Sequence, residues 1–219
     1  LVLLAGDLTA HGEPHEASVL ADACRPLETP VVAVLGNHDW HSDRAADIVG
    51  VLTDAGIAVL ERSTTIVPIR DVTVGVAGVK GFVGGFASPW ANFGERLFRE
   101  AYAETTADVE ALDAGLRAIA ACTIKIALLH YAPTSETLVG EPEQLWLVLG
   151  TERLARPIDE HRPDLVLHGH AHAGTFAGSI GTVPVYNVAQ PVMGQDFSIF
   201  ELEPAARETP RATVEAKRG

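Results

Sequence analysis

Apolar residues come in short runs along this chain, four to eight at a time, and most runs stop abruptly at a glycine or a polar residue. LVLLA (1–5), VVAVL (31–35), TTIVPI (64–69), VTVGVAGV (72–79), IKIALLH (124–130), DLVLHG (164–169), VPVYNVA (183–189) and FSIFEL (197–202) read as strands. Several are apolar at successive rather than alternate positions, the mark of strands covered on both faces. Elsewhere the period lengthens to that of a helix. Ala17, Leu20, Ala21 and Cys24 share one face after Pro14, and Ala45, Ile48, Val49, Leu52 and Ala55 do so between Ser42, a candidate N-cap, and Gly56, a stop. The longest helical stretch, 95–121, sets Val109, Leu112, Leu116 and Ile119 on one side and is expected to break at Thr105-Thr106. Strands alternate with helices early and follow one another late. That order predicts an α/β sandwich: a mixed sheet with helices outside, and a second sheet drawn largely from the C-terminal half.

Composition narrows the picture. With 219 residues, 47% of them hydrophobic, the chain can bury a large core in one domain, expected over 1–202; residues 203–219 lose apolar periodicity and read as a tail. No apolar run approaches the roughly 18–20 residues that cross a bilayer, so no membrane span is expected. Lys and Arg number 16 against 29 Asp and Glu, a net charge of −13. Such a surface repels polyanions, which disfavours bulk nucleic-acid binding but not a small phosphate ester held by local positive charge. Cys24 and Cys122 stand in no metal or redox spacing and read as buried free thiols, which suits a reducing cytoplasm.

The chemistry sits where the apolar runs end. Asp7 follows LVLLAG, Asn37 and His38 follow VVAVLG, His130 follows IKIALL, and His170 and His172 follow DLVLHG. In open α/β sheets the carboxyl ends of strands converge on one crevice, so residues distant in sequence can meet there. Taken singly, Asp7 reads more readily as a turn or N-cap residue and His130 as a satisfied core histidine; the set outweighs those readings. Carboxylate, carboxamide and imidazole without thiolate suit divalent Mn, Fe, Co, Ni or Zn rather than a structural zinc site. One carboxylate can bridge two ions, and two ions roughly 3.5–4 Å apart would activate a shared water for displacement at phosphorus. Phosphoester hydrolysis is the chemistry implied.

The series GD (6–7), GNHD (36–39), His130 and GHAH (169–172) resembles that of the calcineurin-like metallophosphoesterases. The resemblance implies a two-sheet β-sandwich flanked by helices, with a dinuclear centre of two divalent metal ions on one edge. Asp7 would bridge, Asn37, His130 and His170 would complete the second metal site, and His172 would ligate the first. His38 would stand beside the scissile phosphate as general acid or transition-state stabiliser, and a metal-bridging hydroxide would attack. The family normally begins with an Asp-x-His motif on a preceding strand, which this sequence lacks. A first strand outside this numbering, a reduced site and replacement by a partner all account for that; the first is favoured, because otherwise a buried strand edge would stand open.

Other residues invite roles. His168 reads as a hydrogen-bonded histidine behind the ligands, Asp39 as the acceptor that orients the GNHD loop, and His11, His15, His41 and His161 as solvated, His41 alone being worth a test. KGFVGGFASPWANFGE (80–95) lacks the P-loop pattern and reads equally as a crevice loop or a packing loop. Residues 131–150 leave directly from His130, which makes Tyr131 the nearest candidate for substrate contact; the stripe Leu145, Trp146, Val148, Leu149 fits a core helix or an oligomer contact. The expected function is metal-dependent hydrolysis of phosphomonoesters or phosphodiesters, with a small phosphoester as substrate. A non-catalytic protein-binding scaffold is the alternative, and a nuclease is disfavoured by the acidic balance.

Overall fold

The computed structural model describes residues 1–86 and 94–203. Two sheets stack face to face and helices cover both outer sides. The first sheet is parallel and three-stranded, in the order β1 (Val2–Ala5), β2 (Val31–Val34), β3 (Ala58–Val59). Helices α1 (Pro14–Cys24) and α2 (Ala45–Asp54) lie on its outside, where Ala17, Ala21, Ile48 and Leu52 close a core with Ala33 and Leu35. The second sheet has six strands: β4 (Ser63–Ile69), β5 (Val72–Val79), β6 (Ile124–Leu129), β7 (Leu165–His168), β8 (Ala177–Ile180) and β9 (Val183–Asn187), in the spatial order β4-β5-β6-β7-β9-β8. Its four central strands run parallel, with antiparallel β4 and β8 at the edges.

Helix α3 (Arg96–Ala118) and the short α5 (Ala155–His161) cover the second sheet, and Val109, Leu112, Leu116 and Ile119 do face it, as their spacing requires. Between the sheets, Val32 and Val34 meet Val74, Val76, Ile126, Leu128, Leu165 and Leu167. Strands β2, β5, β6 and β7 are therefore buried on both faces, and their unbroken apolar runs follow from that.

Five expectations need correction. The second sheet does draw four of its six strands, β6 to β9, from the C-terminal half, but it is the mixed one, and the smaller first sheet is all parallel. Helix α3 does not break at Thr105-Thr106: the apolar face that packs on the second sheet carries it through, with the Thr106 hydroxyl donating to the Tyr102 carbonyl (2.8 Å) and the Thr105 hydroxyl shared between the carbonyls of Val83 (2.8 Å) and Ala101 (3.1 Å). Ser42 caps nothing; its hydroxyl donates to the Gly12 carbonyl, and Arg44 precedes α2. Residues 197–202 form no strand, although alternation survives: Phe200 and Leu202 pack against the inter-sheet core while Phe197 and Ile199 are exposed. Cys24 and Cys122 are free but only half-buried, and Cys122 lies beyond the end of α3. The tail from 204 onward, and residues 87–93 of the glycine-rich loop, lie outside the described residues. No helix among the described residues is long and apolar enough to cross a membrane.

Candidate metal centre

Parallel strands put their carboxyl ends on one edge, and both sheets deliver polar residues there. Asp7 lies just past β1, Asn37 and His38 past β2, His130 directly after β6, and His170 past β7. The chain turns sharply at two of these ends, with left-handed backbone at Gly6 (φ 87°), Asp7 (φ 52°) and His170 (φ 68°). Asp and His tolerate that conformation better than most side chains do.

Asp7, His130 and His170 each offer one ligand atom within 4.8 Å of the others. Asn37 joins them: its Oδ1 is 3.0 Å from His130 Nε2, and Asp7 Oδ1 is 3.3 Å from the same nitrogen. The proton on His130 is settled by its other side. Nδ1 lies 2.8 Å from the Ala5 carbonyl, which can only accept, so Nδ1 carries the hydrogen. The ring is 1% exposed and burial pushes its pKa far down, so it carries no second proton. Nε2 therefore presents a lone pair to two oxygen acceptors. Three lone pairs that face one another repel unless a cation lies between them. The same logic assigns His170: Nε2 donates to the Val148 carbonyl (3.2 Å), which leaves Nδ1 free to coordinate.

The cradle around these atoms has no room to spare. A Cβ on Gly36 would fall 2.1 Å from Asp7 Oδ1 and 2.3 Å from Asp7 N, and one on Gly6 would fall 2.4 Å from His130 Nδ1. Asp39, fully buried, accepts from the backbone N–H of Leu8 (3.2 Å), Thr9 (2.8 Å) and Gly36 (2.8 Å) and from the Thr9 hydroxyl (2.7 Å). Burial raises its pKa against the pull of those donors. It thus ties the turn after β1 to the turn after β2, the orienting role expected of it.

His38 N–H donates to Asp7 Oδ1 (3.0 Å), and its Nδ1 donates to the Ala10 carbonyl (2.9 Å), which leaves Nε2 without a partner among the described residues. His41 lies ring to ring with it at 4.5 Å. His172 is exposed and outside the 4.8 Å cluster. His168 is fully buried behind the ligands, bonded to the Gly169 carbonyl and the Thr137 hydroxyl at 2.8 Å each, and burial lowers its pKa to about 4. Of the histidines expected to be solvated, exposed His11 pairs with Glu16 (2.9 Å), but His161 is not solvated: its side chain is 17% exposed and lies against Asp113 (2.8 Å). Asp113, Glu160 and His161 also lie close together, but Arg117 already neutralises Asp113 at 2.6 Å.

Tyr131, nearly fully buried, sets its ring 4.4 Å from that of His170. Residues 84–85 bond to 147–150 (Gly84 N–H to the Leu147 carbonyl, Gly85 N–H to the Gly150 carbonyl, both 2.9 Å), so the described part of the glycine-rich loop packs on that segment. In it, α4 (Trp146–Leu149) buries Leu149 and leaves Leu147 and Val148 half exposed. Sequence reading passed over Lys80, which ends the β5 run as Asp7 and His130 end theirs. Its position at a strand's carboxyl end was the available signal.

The sequence model of the calcineurin-like phosphoesterases matches residues 1–174, from β1 through His172. The chain belongs to that family. No curated protein matches the chain. Among solved structures it is similar to phosphopantetheinyl hydrolase from Mycobacterium tuberculosis, with a TM-score of 0.62 at 16% identity over 86% of this chain and 79% of that one. A putative 5'-nucleotidase from Staphylococcus aureus gives 0.55 at 16% identity, over 85% of this chain and 39% of the other. TT1561 of Thermus thermophilus gives 0.52 at 18%, over 85% and 75%. These likenesses are of fold, and they agree with the two helix-flanked sheets described above.

Proposed function

We propose that this family member is a metal-dependent phosphoesterase acting on small phosphomonoesters or phosphodiesters. The observation that carries the reading is the convergence of unprotonated His130 Nε2 with Asp7 Oδ1 and Asn37 Oδ1, a cluster of acceptors suited to a cation. The donor set, oxygen and imidazole nitrogen without sulfur, fits hard-to-borderline divalent ions. Asn37, His130 and His170 would hold one ion, His172 would serve a second, and Asp7 would serve both. Bound divalent ions would supply the positive charge that activates water and offsets charge on the phosphoryl oxygens. His38, anchored through Nδ1 to Ala10, would direct Nε2 at the ester and deliver a proton to the leaving oxygen. Asp39 keeps Asp7 and His38 in one frame by bonding both turns. Small esters as substrates are supported by the names of the neighbours, a phosphopantetheinyl hydrolase and a putative 5'-nucleotidase, and by the net charge of −13, which disfavours polyanions. The two free cysteines support a reducing compartment.

The test is turnover of p-nitrophenyl phosphate and bis(p-nitrophenyl) phosphate with Mn²⁺, alongside elemental analysis. The reading expects bound divalent metal and hydrolysis that a chelator abolishes and Mn²⁺ restores. Protein that takes up no metal would remove the site, and metal-loaded protein that cleaves no ester would hand the fold to the scaffold alternative.

A further inference from the structure

Lys80 is costly where it lies. It follows β5 at the edge that carries the candidate ligands, and its side chain is part-buried. Among the described residues it makes one hydrogen bond, to the Gly81 carbonyl at 3.3 Å, and no ion pair within contact distance. Asp108, Glu104 and Glu61 act on it from farther away, while Asp108 spends one oxygen on Arg62 (2.7 Å) and leaves the other, buried, without a hydrogen-bond partner among the described residues. Burial pushes the Lys80 pKa down, as expected for a cation so thinly compensated. What the ammonium does touch is aromatic: it lies 4.6 Å from the centroid of Phe82 and 5.3 Å from that of Tyr131, within cation–π range of both.

Tyr131 is the link to the centre. Its ring contacts His170 at 4.4 Å and His130 at 5.5 Å, and Phe82 meets it edge-on at 6.0 Å. The Lys80 carbonyl also accepts the N–H of both His130 and Tyr131, each at 3.0 Å. One residue thus grips the ligand strand end by its backbone and the ring beside His170 by its side chain. His170 has left-handed backbone and, among the described residues, a single ring hydrogen bond, to Val148, so the ring packed against it bears on its direction.

We propose that Lys80 is a positioning residue of the metal centre, holding the Tyr131 ring against His170 through its ammonium and thereby fixing the direction of that imidazole. The proposal rests on the metal-dependent reading above. Ligand-orienting groups of this kind typically change metal affinity 10- to 100-fold when removed.

The experiment is Mn²⁺ titration by calorimetry on the metal-stripped protein, with thermal unfolding as a check on folding. Lys80→Met, which keeps the stem and loses the charge, is expected to weaken Mn²⁺ binding about 10-fold, near the low end of that range, and Lys80→Arg to restore most of it. In a Tyr131→Leu background the Lys80→Met change should add little, since the ring it acts through is gone. Asp108→Asn should not rescue Lys80→Met; rescue would mean that Lys80 merely neutralises Asp108, and would overturn the proposal. Unchanged affinity in folded Lys80→Met would overturn it too, as would full additivity with Tyr131→Leu. If Lys80→Met does not fold, Tyr131→Leu decides, because Mn²⁺ affinity equal to wild type there removes the link. Wild-type protein that binds no Mn²⁺ would instead sink the metal reading itself.

Discussion

At the scale of single residues, the centre depends on atoms denied alternatives. Asp7 Oδ1 receives the His38 N–H and faces His130 Nε2, and Gly36 closes over it with no space for a methyl group. If Asp7 serves both ions, Asp7→Asn should lose far more metal affinity than His172→Ala, whose exposed ring serves one; equal losses in a Mn²⁺ titration would show that Asp7 does not bridge. His38 has a different task, because its ring bonds to Ala10 and lies outside the ligand cluster. His38→Ala should leave metal content intact and cut turnover by roughly 10²- to 10⁴-fold, the usual range for general acid–base catalysis. The loss should be smaller for aryl esters, whose phenolate leaves without a proton, than for alkyl esters. Stripped metals in His38→Ala would make His38 a ligand instead.

At the scale of elements, buried strands are supports and their ends are tools. Strand β6 is covered by the inter-sheet core on one face and by α3 and α5 on the other, so its end cannot drift and His130 inherits that rigidity. Helix α3 sustains this from the far side as one 23-residue span. Thr105 belongs to its buried face, where its one hydroxyl hydrogen is shared between the Ala101 carbonyl and the nearer Val83 carbonyl (2.8 Å), which ties the helix to the loop after Lys80. Leu112, fully buried at the centre of that core, should cost about 2–5 kcal/mol when changed to Ala. Chemical denaturation measures the loss, and metal binding by the folded fraction should persist, since Leu112 touches no ligand. The exposed flank of α4, Leu147 and Val148, agrees with neither a fully buried helix nor a polar surface.

At the scale of the whole molecule, buried neutral histidines link stability to pH. His168 titrates at about 4 in the folded protein, and His130 also lies well below its ordinary value, against about 6.5 in an unfolded chain. As pH falls below about 6.5 the unfolded chain takes up protons that the folded one refuses, so stability declines until about 4, by on the order of 3 kcal/mol for His168 alone. Thermal midpoints of metal-free protein between pH 7 and pH 4.5 should fall, and His168→Gln should flatten that slope; a flat wild-type profile would mean that these rings are not buried neutral. The amino-acid sequence by itself determined the layers and the candidate ligands, because doubly covered strands must be continuously apolar and their polar ends stand out: Asp7, Asn37, His130 and His170 were legible at the ends of LVLLAG, VVAVLG, IKIALL and DLVLHG. It could not reveal β3 or β8, since two residues and AGSI carry too little pattern, nor the continuity of α3, which its packing on the second sheet carries through. Only the tertiary structure decided which lone pairs converge, because the proton on His130 is assigned by the carbonyl of Ala5, 125 residues away. Which element ends meet, and which backbone atoms face their side chains, is a property of packing two sheets together, and no local stretch of sequence encodes it.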